Sequence, residues 1–301
     1  VLDRLRAGEP LTRRADRVGA STRRVTVGVD RVNGVDPSGE RQQALDLNVP
    51  QSARVWNYWL GGKDNFAVDR EVGEQIRAML PGIVDIARAD RAFLTRAVRY
   101  LAGERGIRQF LDIGTGLPSA NNTHEVAQAV APESRVVYVD NDPLVLAHAR
   151  ALLTSSPQGV TRYLDADAHR PDAILDQAGE TLDFGQPVAL MMLGIVNHIM
   201  DDAEAYAIVD RLLERLAPGS HLVVAHPTAD IDGDAMRKAM TWMNESGGTP
   251  VRARTHAEIS RFFRSLDLVE PGVVSLPRWR PDPADVGKPE VSEYCGVGRK
   301  P

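Results

Sequence analysis

The stretch Phe110-Leu-Asp-Ile-Gly-Thr-Gly-Leu-Pro118 reads as an apolar strand that runs into a turn carrying two glycines. After an intervening helix, Val136-Val-Tyr-Val-Asp140 reads as a second apolar strand, ending in a carboxylate 24 residues beyond Gly116. Strand, glycine turn, helix and acid-tipped strand together make a βαβ unit of the nucleotide-binding type.

The departures from a dinucleotide fingerprint narrow the ligand. Where G-x-G-x-x-G requires its third glycine the chain has Ser119, preceded by Pro118. A pyrophosphate cradle at the helix start is therefore not expected, which disfavours a nicotinamide cofactor. Asp112, two residues before the first glycine, puts a carboxylate at the mouth of the turn, where it repels phosphate and attracts an ammonium group. A ligand with an adenosine, a ribose diol and an amino acid but no phosphate satisfies these constraints, and S-adenosylmethionine (SAM) has those parts. Asp140 is expected to accept hydrogen bonds from both ribose hydroxyls.

Working outward, strands are expected near 108–113, 135–140, 160–164, 187–193 and 219–225, separated by amphipathic helices. The clearest helix is Asp201 to Leu216, with Glu204 three residues after Asp201 and Pro218-Gly219 beyond its end. Two further strands, 269–276 and 291–297, complete the pattern. The fold class is α/β: a doubly wound, Rossmann-like, seven-stranded sheet with a terminal antiparallel pair, the plan of class I methyltransferases.

Composition sets the surroundings. The chain has 301 residues, 43% of them hydrophobic, enough for one large core with an added cap. Its single cysteine, Cys295, excludes an internal disulfide framework and a thiolate-rich zinc site, and leads us to expect a reducing, cytoplasmic setting. The longest nearly unbroken apolar run, Val188 to Val196, falls far short of the ~20 residues of a membrane-spanning helix. A net charge of -5 gives no global attraction to nucleic acid or anionic membrane.

Residues 1–44 differ, with nine Arg, no Lys and six acids. The segment lacks aromatic residues and periodicity and is expected to be mostly disordered, with the working protein beginning nearer Ala44. Residues 45–104 are expected to form a helical cap and residues 105–301 the ligand-binding domain. Within the cap, Val55, Trp56, Tyr58, Trp59 and Leu60 make an aromatic helical turn that ends at Gly61-Gly62. Lys63-Asp-Asn-Phe66 follows as a loop able to approach a ligand closely. Ile86, Phe93, Ala97, Val98 and Leu101 line one face of a helix that packs on the next domain.

Several blocks together resemble a known family: Ala53-Arg-Val-Trp-Asn-Tyr-Trp-Leu-Gly-Gly-Lys-Asp-Asn-Phe66, the Phe110–Pro118 turn, His124-Glu-Val-Ala-Gln128, Pro277-Arg-Trp-Arg-Pro281 and Tyr294-Cys-Gly-Val-Gly-Arg299. The chain, over roughly residues 48–300, is similar to the S-adenosyl methyltransferase family long catalogued as a domain of unknown function. The resemblance implies SAM as methyl donor, S-adenosylhomocysteine (SAH) as product, and a cap over the cofactor. It implies that Asp112, Gly114 and Gly116 hold the methionyl end, Asp140 the ribose, and Asp167 the adenine amino group. The expected cofactor-binding set is completed by Thr115, Asn141, Ala168 and, from the cap, Tyr58, Gly62, Lys63 and Asn65. The family carries a glycine near position 121, where this chain has Asn121-Asn122; Asn122 can instead cap the helix, with Glu125 at its third position.

Methyl transfer from a sulfonium asks little of side chains beyond alignment, exclusion of water and removal of a proton. Candidates for the last role lie after strand four (Asn197, His198, Asp201, Asp202) and strand five (His226, Asp230), where ligands collect in open sheets. His198 is the expected catalytic residue. A divalent metal site can be assembled on paper from the same His and Asp residues, but no spacing is diagnostic and none is expected. Strand four runs into Leu193-Gly-Ile-Val-Asn-His198 rather than the Pro-Pro-aromatic motif of amino-methyltransferases acting on nucleic-acid bases and some protein amides, and no cysteine stands near that loop. A basic, aromatic-lined groove is also missing, so a small-molecule acceptor is expected rather than nucleic acid. The alternative is a protein that binds SAM or SAH for regulation or interaction without transfer. The catalytic reading predicts a cavity lined by Asn197, His198 and cap residues, whereas a pure binder can fill that space with side chains.

Overall fold

A computed structural model describes residues 49–152, 155–246 and 248–301. The expectation for residues 1–44 lies outside the described residues. From Ser52 onward three helices precede the first strand: α1 (Ser52–Trp59), α2 (Ala67–Met79) and α3 (Ile83–Gly103). There follow β1 (Gln109–Ile113), α4 (Thr123–Val130), β2 (Arg135–Asp140), α5 (Pro143–Leu152), β3 (Val160–Asp165), α6 (Pro171–Ala178) and β4 (Ala189–Leu193). The remainder is α7 (Asp202–Glu214), β5 (His221–Pro227), α8 (Gly233–Glu245), α9 (His256–Ser260), β6 (Asp267–Leu268), β7 (Val274–Ser275) and β8 (Glu293–Arg299).

The strands form one sheet in the order β3-β2-β1-β4-β5-β8-β6, with β7 also paired to β8. Strands β1 to β5 are parallel, and β8 returns antiparallel to β5. The chain winds outward from β1 in one direction and then from β4 in the other, so the crevice for a ligand falls between the carboxyl ends of β1 and β4. Alternation along the strands divides the core. Leu111, Ile113, Val137 and Val139 face a cluster with α6 and α7, whereas Phe110, Val136 and Tyr138 face the cluster built on α3 and Trp279.

One expected strand is interrupted. Of the segment 269–276 only β7, Val274–Ser275, is strand; β6 lies just before it at Asp267–Leu268, and between them Pro271-Gly272 intervenes with Gly272 at φ 88, a left-handed conformation that ends a ladder. The sheet consequently counts eight strands rather than seven. The helix expected from Asp201 begins as read: the Asp201 carboxylate accepts from Glu204 N–H at 2.8 Å. The helix after the glycine turn starts at Asn122, whose N–H donates to Glu125 at 2.9 Å. Asn121 sits at φ 61, a region that asparagine tolerates better than other non-glycine residues.

The family blocks that do not approach the crevice hold the layers together. Trp279 is fully buried, edge-on to Phe93 (5.4 Å) and Tyr100 (5.7 Å), while Arg96 of α3 donates to the carbonyls of Trp279 and Leu276. His124 is buried against Tyr138, whose hydroxyl accepts from its backbone N–H at 2.8 Å. Helices α1 and α2 are joined by the buried pair Arg54–Asp69 at 3.1 Å, with Asp69 also accepting from the N–H groups of Gln51 and Phe66. The cap is not made from the N-terminal helices alone. Met236 and Ala239 of α8, more than 130 residues later, belong to the same apolar cluster as Val55, Trp59, Ile76 and Ile86. Among the described residues no helix is long and apolar enough to cross a membrane.

Candidate active site

At the end of β1 the chain turns through Gly114 (φ 76) and Gly116 (φ 63), conformations that residues with a Cβ rarely adopt. A Cβ at Gly114 would also stand 2.5 Å from Cβ of Ile195, so the turn closes directly onto the loop after β4. Gly116 N–H donates to Asp140 Oδ2 at 2.9 Å and Asp142 N–H donates to Oδ1 at 3.0 Å. The acid at the tip of β2 is thereby oriented by backbone donors, with one lone pair on each oxygen left to face the crevice. Burial raises its pKa despite these bonds.

Asp112 is 6% exposed, and its Oδ2 accepts from Thr123 Oγ1 at 2.6 Å. Burial lifts its carboxyl to about 6, against the Thr123 hydrogen bond. Arg91 of α3 lies beside it; one guanidinium nitrogen donates to the carbonyls of Ala120 and Asn121, and its buried Nε has no partner.

These groups line one cavity of about 580 Å³ that runs from the strand ends to the underside of the cap. Its wall includes Asp112, Gly114, Thr115, Gly116, Asp140, Asn141, Asp167 and Ala168, so eight expected cofactor residues converge there. The Asp167 Oδ1 is engaged by His169, through its backbone N–H at 2.9 Å and its ring Nδ1 at 2.8 Å. The cavity continues past Asn197 and His198 to Trp56 and Leu60 of α1, Ile76 of α2, and Met236, Met240 and Met243 of α8.

Tyr58, Gly62, Lys63 and Asn65, expected from the cap, are not brought to this wall. Tyr58 turns outward and donates to Glu74 at 2.6 Å, since on a helix it cannot share the face that presents Trp56 and Trp59. Asn65 donates to Asn57 Oδ1 and to the Gly62 carbonyl, both at 2.9 Å, and any Cβ at Gly62 would meet the Asn57 side chain. Lys63 is exposed. The loop is knit to itself, and Asp64 reaches His148 of α5 at 3.3 Å.

Of the six candidates named after β4 and β5, Asn197 and His198 reach the cavity wall and Asp201, Asp202, His226 and Asp230 do not. His198 Nδ1 must donate to the Pro250 carbonyl, 2.7 Å away, because a carbonyl only accepts; its Nε2 then carries the lone pair. Burial lowers the pKa of this ring, with the Pro250 bond opposing, and favours the neutral form. His226 is fully buried, and its ring nitrogens meet the Pro227 carbonyl at 2.9 Å and Arg254 at 2.8 Å. Asp202 pairs with Arg252 and Arg254, Asp201 caps α7, and Asp230 accepts from His256 N–H. Their use in these contacts explains why they form no shared metal cage. Among the described residues no group of three or more His, Cys, Asp or Glu side chains is placed to hold a metal ion.

Three residues escaped the sequence reading: Asp90 and Arg91 of α3 and Glu293 of β8, all on the cavity wall. The signal was available. Asp90 stands four residues after Ile86 and four before Leu94, on the buried helical face, and Glu293 alternates with the core residues Cys295 and Val297. An acid on an apolar stripe breaks the pattern, and such breaks concentrate at functional sites.

Known structures agree with this architecture. The chain is similar to a DUF574 family protein from Streptomyces avermitilis, at 44% identity and TM-score 0.82, over 85% of this chain and 99% of that one. It is also similar to a candidate methyltransferase from Thermobifida fusca, at 41% identity and TM-score 0.77, over 85% of this chain and 96% of that one. A search of curated proteins found no match. Residues 38–301 match the family described as S-adenosyl methyltransferase, and the chain belongs to that family of SAM-dependent enzymes.

Proposed function

We propose that this enzyme methylates a small molecule held between the carboxyl ends of the strands and the helical cap. The observation that carries the reading is the continuity of one cavity from the Asp112–Gly116 turn to an apolar chamber beneath α1 and α8. The residues fit the donor. Asp112 is a buried carboxylate with room for an ammonium partner, Arg91 Nε is a buried donor suited to a carboxylate, and Asp140 offers two oriented oxygens to a diol. Ala168 and Asp167 flank the region expected to receive adenine. The division of the chain into a cap, residues 45–104, and a SAM-binding domain, residues 105–301, is retained, with α8 added to the cap.

Bound SAM supplies a methyl group already activated by the sulfonium. The chain's own contribution is to align the acceptor, exclude water and take up a proton. His198, neutral and with Nε2 unprotonated, is suited to that last step. The chamber lined by Asn197, His198, Trp56 and Ile76 is open space rather than packed side chains, which favours transfer over binding alone. The acceptor is taken to be a small molecule, not nucleic acid, and the setting to be cytoplasmic.

Calorimetric titration with SAM, SAH and, as control, NAD tests the cofactor assignment. Binding of the first two and not the third is expected; NAD binding with equal affinity would overturn it. His198→Ala should leave SAH affinity within about twofold while turnover falls about 10²-fold. A matching loss of SAH affinity would remove His198 from the proton-accepting role.

A further inference from the structure

Two buried acids stand on the wall of the chamber under the cap. Asp90 projects from α3 with 6% of its surface exposed, and Glu293 projects from β8 with 2%. The register Pro227↔Glu293 puts Glu293 at the carboxyl end of β5, on the ligand side of the sheet. Asn197, from the loop after β4 and 6% exposed, lines the same cavity. Asp90 Oδ1 and Asn197 Oδ1 are both buried with no hydrogen-bond partner. Neither carboxylate has a cationic side chain at ion-pair distance among the described residues; burial raises the pKa of both, with the Arg91 charge opposing and the Asp112 charge adding at Asp90, and the Asp90 charge adding to the rise at Glu293.

Buried acids without a donor or an ion-paired cation are costly when ionised. Two buried acids close enough for the charge of one to act on the other, with the unpartnered Asn197 Oδ1 on the same cavity wall, define a site complementary to N–H groups and positive charge. The strand order sets the Glu293 side of this site away from the cofactor turn, while Asp90 on α3 lies near enough to Asp112 and Arg91 for both charges to act on it. The turn follows β1, whereas Glu293 lies on β8, with β4 and β5 between them. Around it stand Ile83, Ile86, Met236, Met243 and Val251.

From this geometry we infer that the methyl acceptor carries a hydrophobic amine, whose ammonium group is received by Asp90, Glu293 and Asn197 as an anchor while its apolar body lies against the cap. The protonated nitrogen has no lone pair, so the methyl passes to another nucleophilic atom of the same molecule, whose proton His198 takes as SAM becomes SAH. The inference rests on the SAM-dependent reading above and adds the acceptor's chemical class. Flexible methionine side chains on α8 suit an apolar body of irregular shape.

The test titrates the full chain, with and without saturating SAH, against matched probes: hexylamine, 2-phenylethylamine and tryptamine, each beside the alcohol and the carboxylate of the same skeleton. At least one amine is expected to bind tenfold or more tightly than its alcohol, with its carboxylate weaker still. The Asp90→Asn/Glu293→Gln double variant should lose that preference and keep SAH affinity within about twofold. If that variant does not fold, the single variants, each followed by thermal unfolding, carry the same comparison. An absence of amine preference across the panel, including no binding at all, overturns the inference, as does a preference that survives the substitutions. A tenfold loss of SAH affinity in the double variant also overturns it, by assigning the acids to the methionyl group. Failure of SAH to bind the unsubstituted chain would instead overturn the cofactor reading, and the titrations without SAH still decide the amine preference.

Discussion

Over β1 and β2, Asp140 takes two backbone N–H groups and Asp112 takes the Thr123 hydroxyl, so the acids of the cofactor half are oriented before any ligand arrives. Under the cap, Asp90 Oδ1 and Asn197 Oδ1 have no donor at all. The first half is preorganised by local turns within 30 residues of each other; the second is assembled from α1, α2, α3, α8, the loop after β4 and β8. The contrast suits an enzyme that keeps one donor and meets its acceptor in a chamber of separate construction. It also says where each half is vulnerable. The cofactor half depends on backbone conformation, and the acceptor half depends on the struts that hold distant elements in place.

The largest expected effect tests the chief strut. Arg254 is fully buried and lies between α8 and α9. It ties this connection to the loop after β4, donating to the carbonyls of Val196 (3.1 Å) and Ile199 (2.8 Å) and to Asp202 (2.9 Å). Its other neighbour, His226, is pushed down to about 3 by burial, the Arg254 charge adding to the effect, so the pair stays Arg⁺ and neutral His. Arg254→Ala should cost about 3–5 kcal/mol in urea unfolding, as removal of one member of a buried ionic network does. If the unfolding midpoint stays in place, the loop carrying Asn197 and His198 is held by other contacts and the contrast between the halves weakens.

The features legible in the sequence fall along the same division. The Phe110–Pro118 turn, the acid at Asp140 and the cap of α7 at Asp201 are set by residues within a few positions of one another, and local chemistry decides them. Strand alternation marked out the sheet, except that the strand expected over 269–276 is reduced to Val274–Ser275, with Pro271-Gly272 before it and β6 at Asp267–Leu268. The role of α8 in the cap was not legible, because its amphipathic face names no partner and Met236 joins the cluster of Ile76 from far along the chain. Tyr58 and Lys63 misled for a related reason: residue types that suit a ligand contact also suit a solvated loop, and only the phase of α1 shows which way Tyr58 points. Asp90 and Glu293 were legible in principle as acids on buried faces, but their meeting depends on the antiparallel return of β8 beside β5.

A smaller effect is expected in the cofactor half. Asp140→Ala leaves the Gly116 and Asp142 N–H groups without their acceptor and removes both oxygens proposed for the ribose. Affinity for SAM and SAH should fall by about 1–3 kcal/mol, equally for the two ligands because the ribose is common to both. Calorimetry that found SAM weakened and SAH unchanged would place Asp140 near the sulfonium instead and dissolve the distinction drawn between the halves.

The smallest effect is a pH dependence, and its sign comes from Asp112. Burial holds this carboxyl near about 6, above its usual range, so that below that pH the ligand-free protein carries a proton there. An ammonium partner favours the carboxylate, so binding must expel the proton. SAH affinity is therefore expected to be flat at neutral pH and to fall as pH drops through about 6, by no more than tenfold per pH unit for one proton. Asp90 is lifted to about 7 by burial with the Asp112 charge adding, and is the second acid that titrates in this range; Arg91 opposes both shifts and Asp140 adds to that of Asp112. The two acids are separable by substitution. Asp112→Asn should weaken binding and flatten the acid limb. A limb that persists in Asp112→Asn and vanishes in Asp90→Asn would move the ammonium of SAM toward the chamber, and the line between the two halves would have to be redrawn on the cap side of α3.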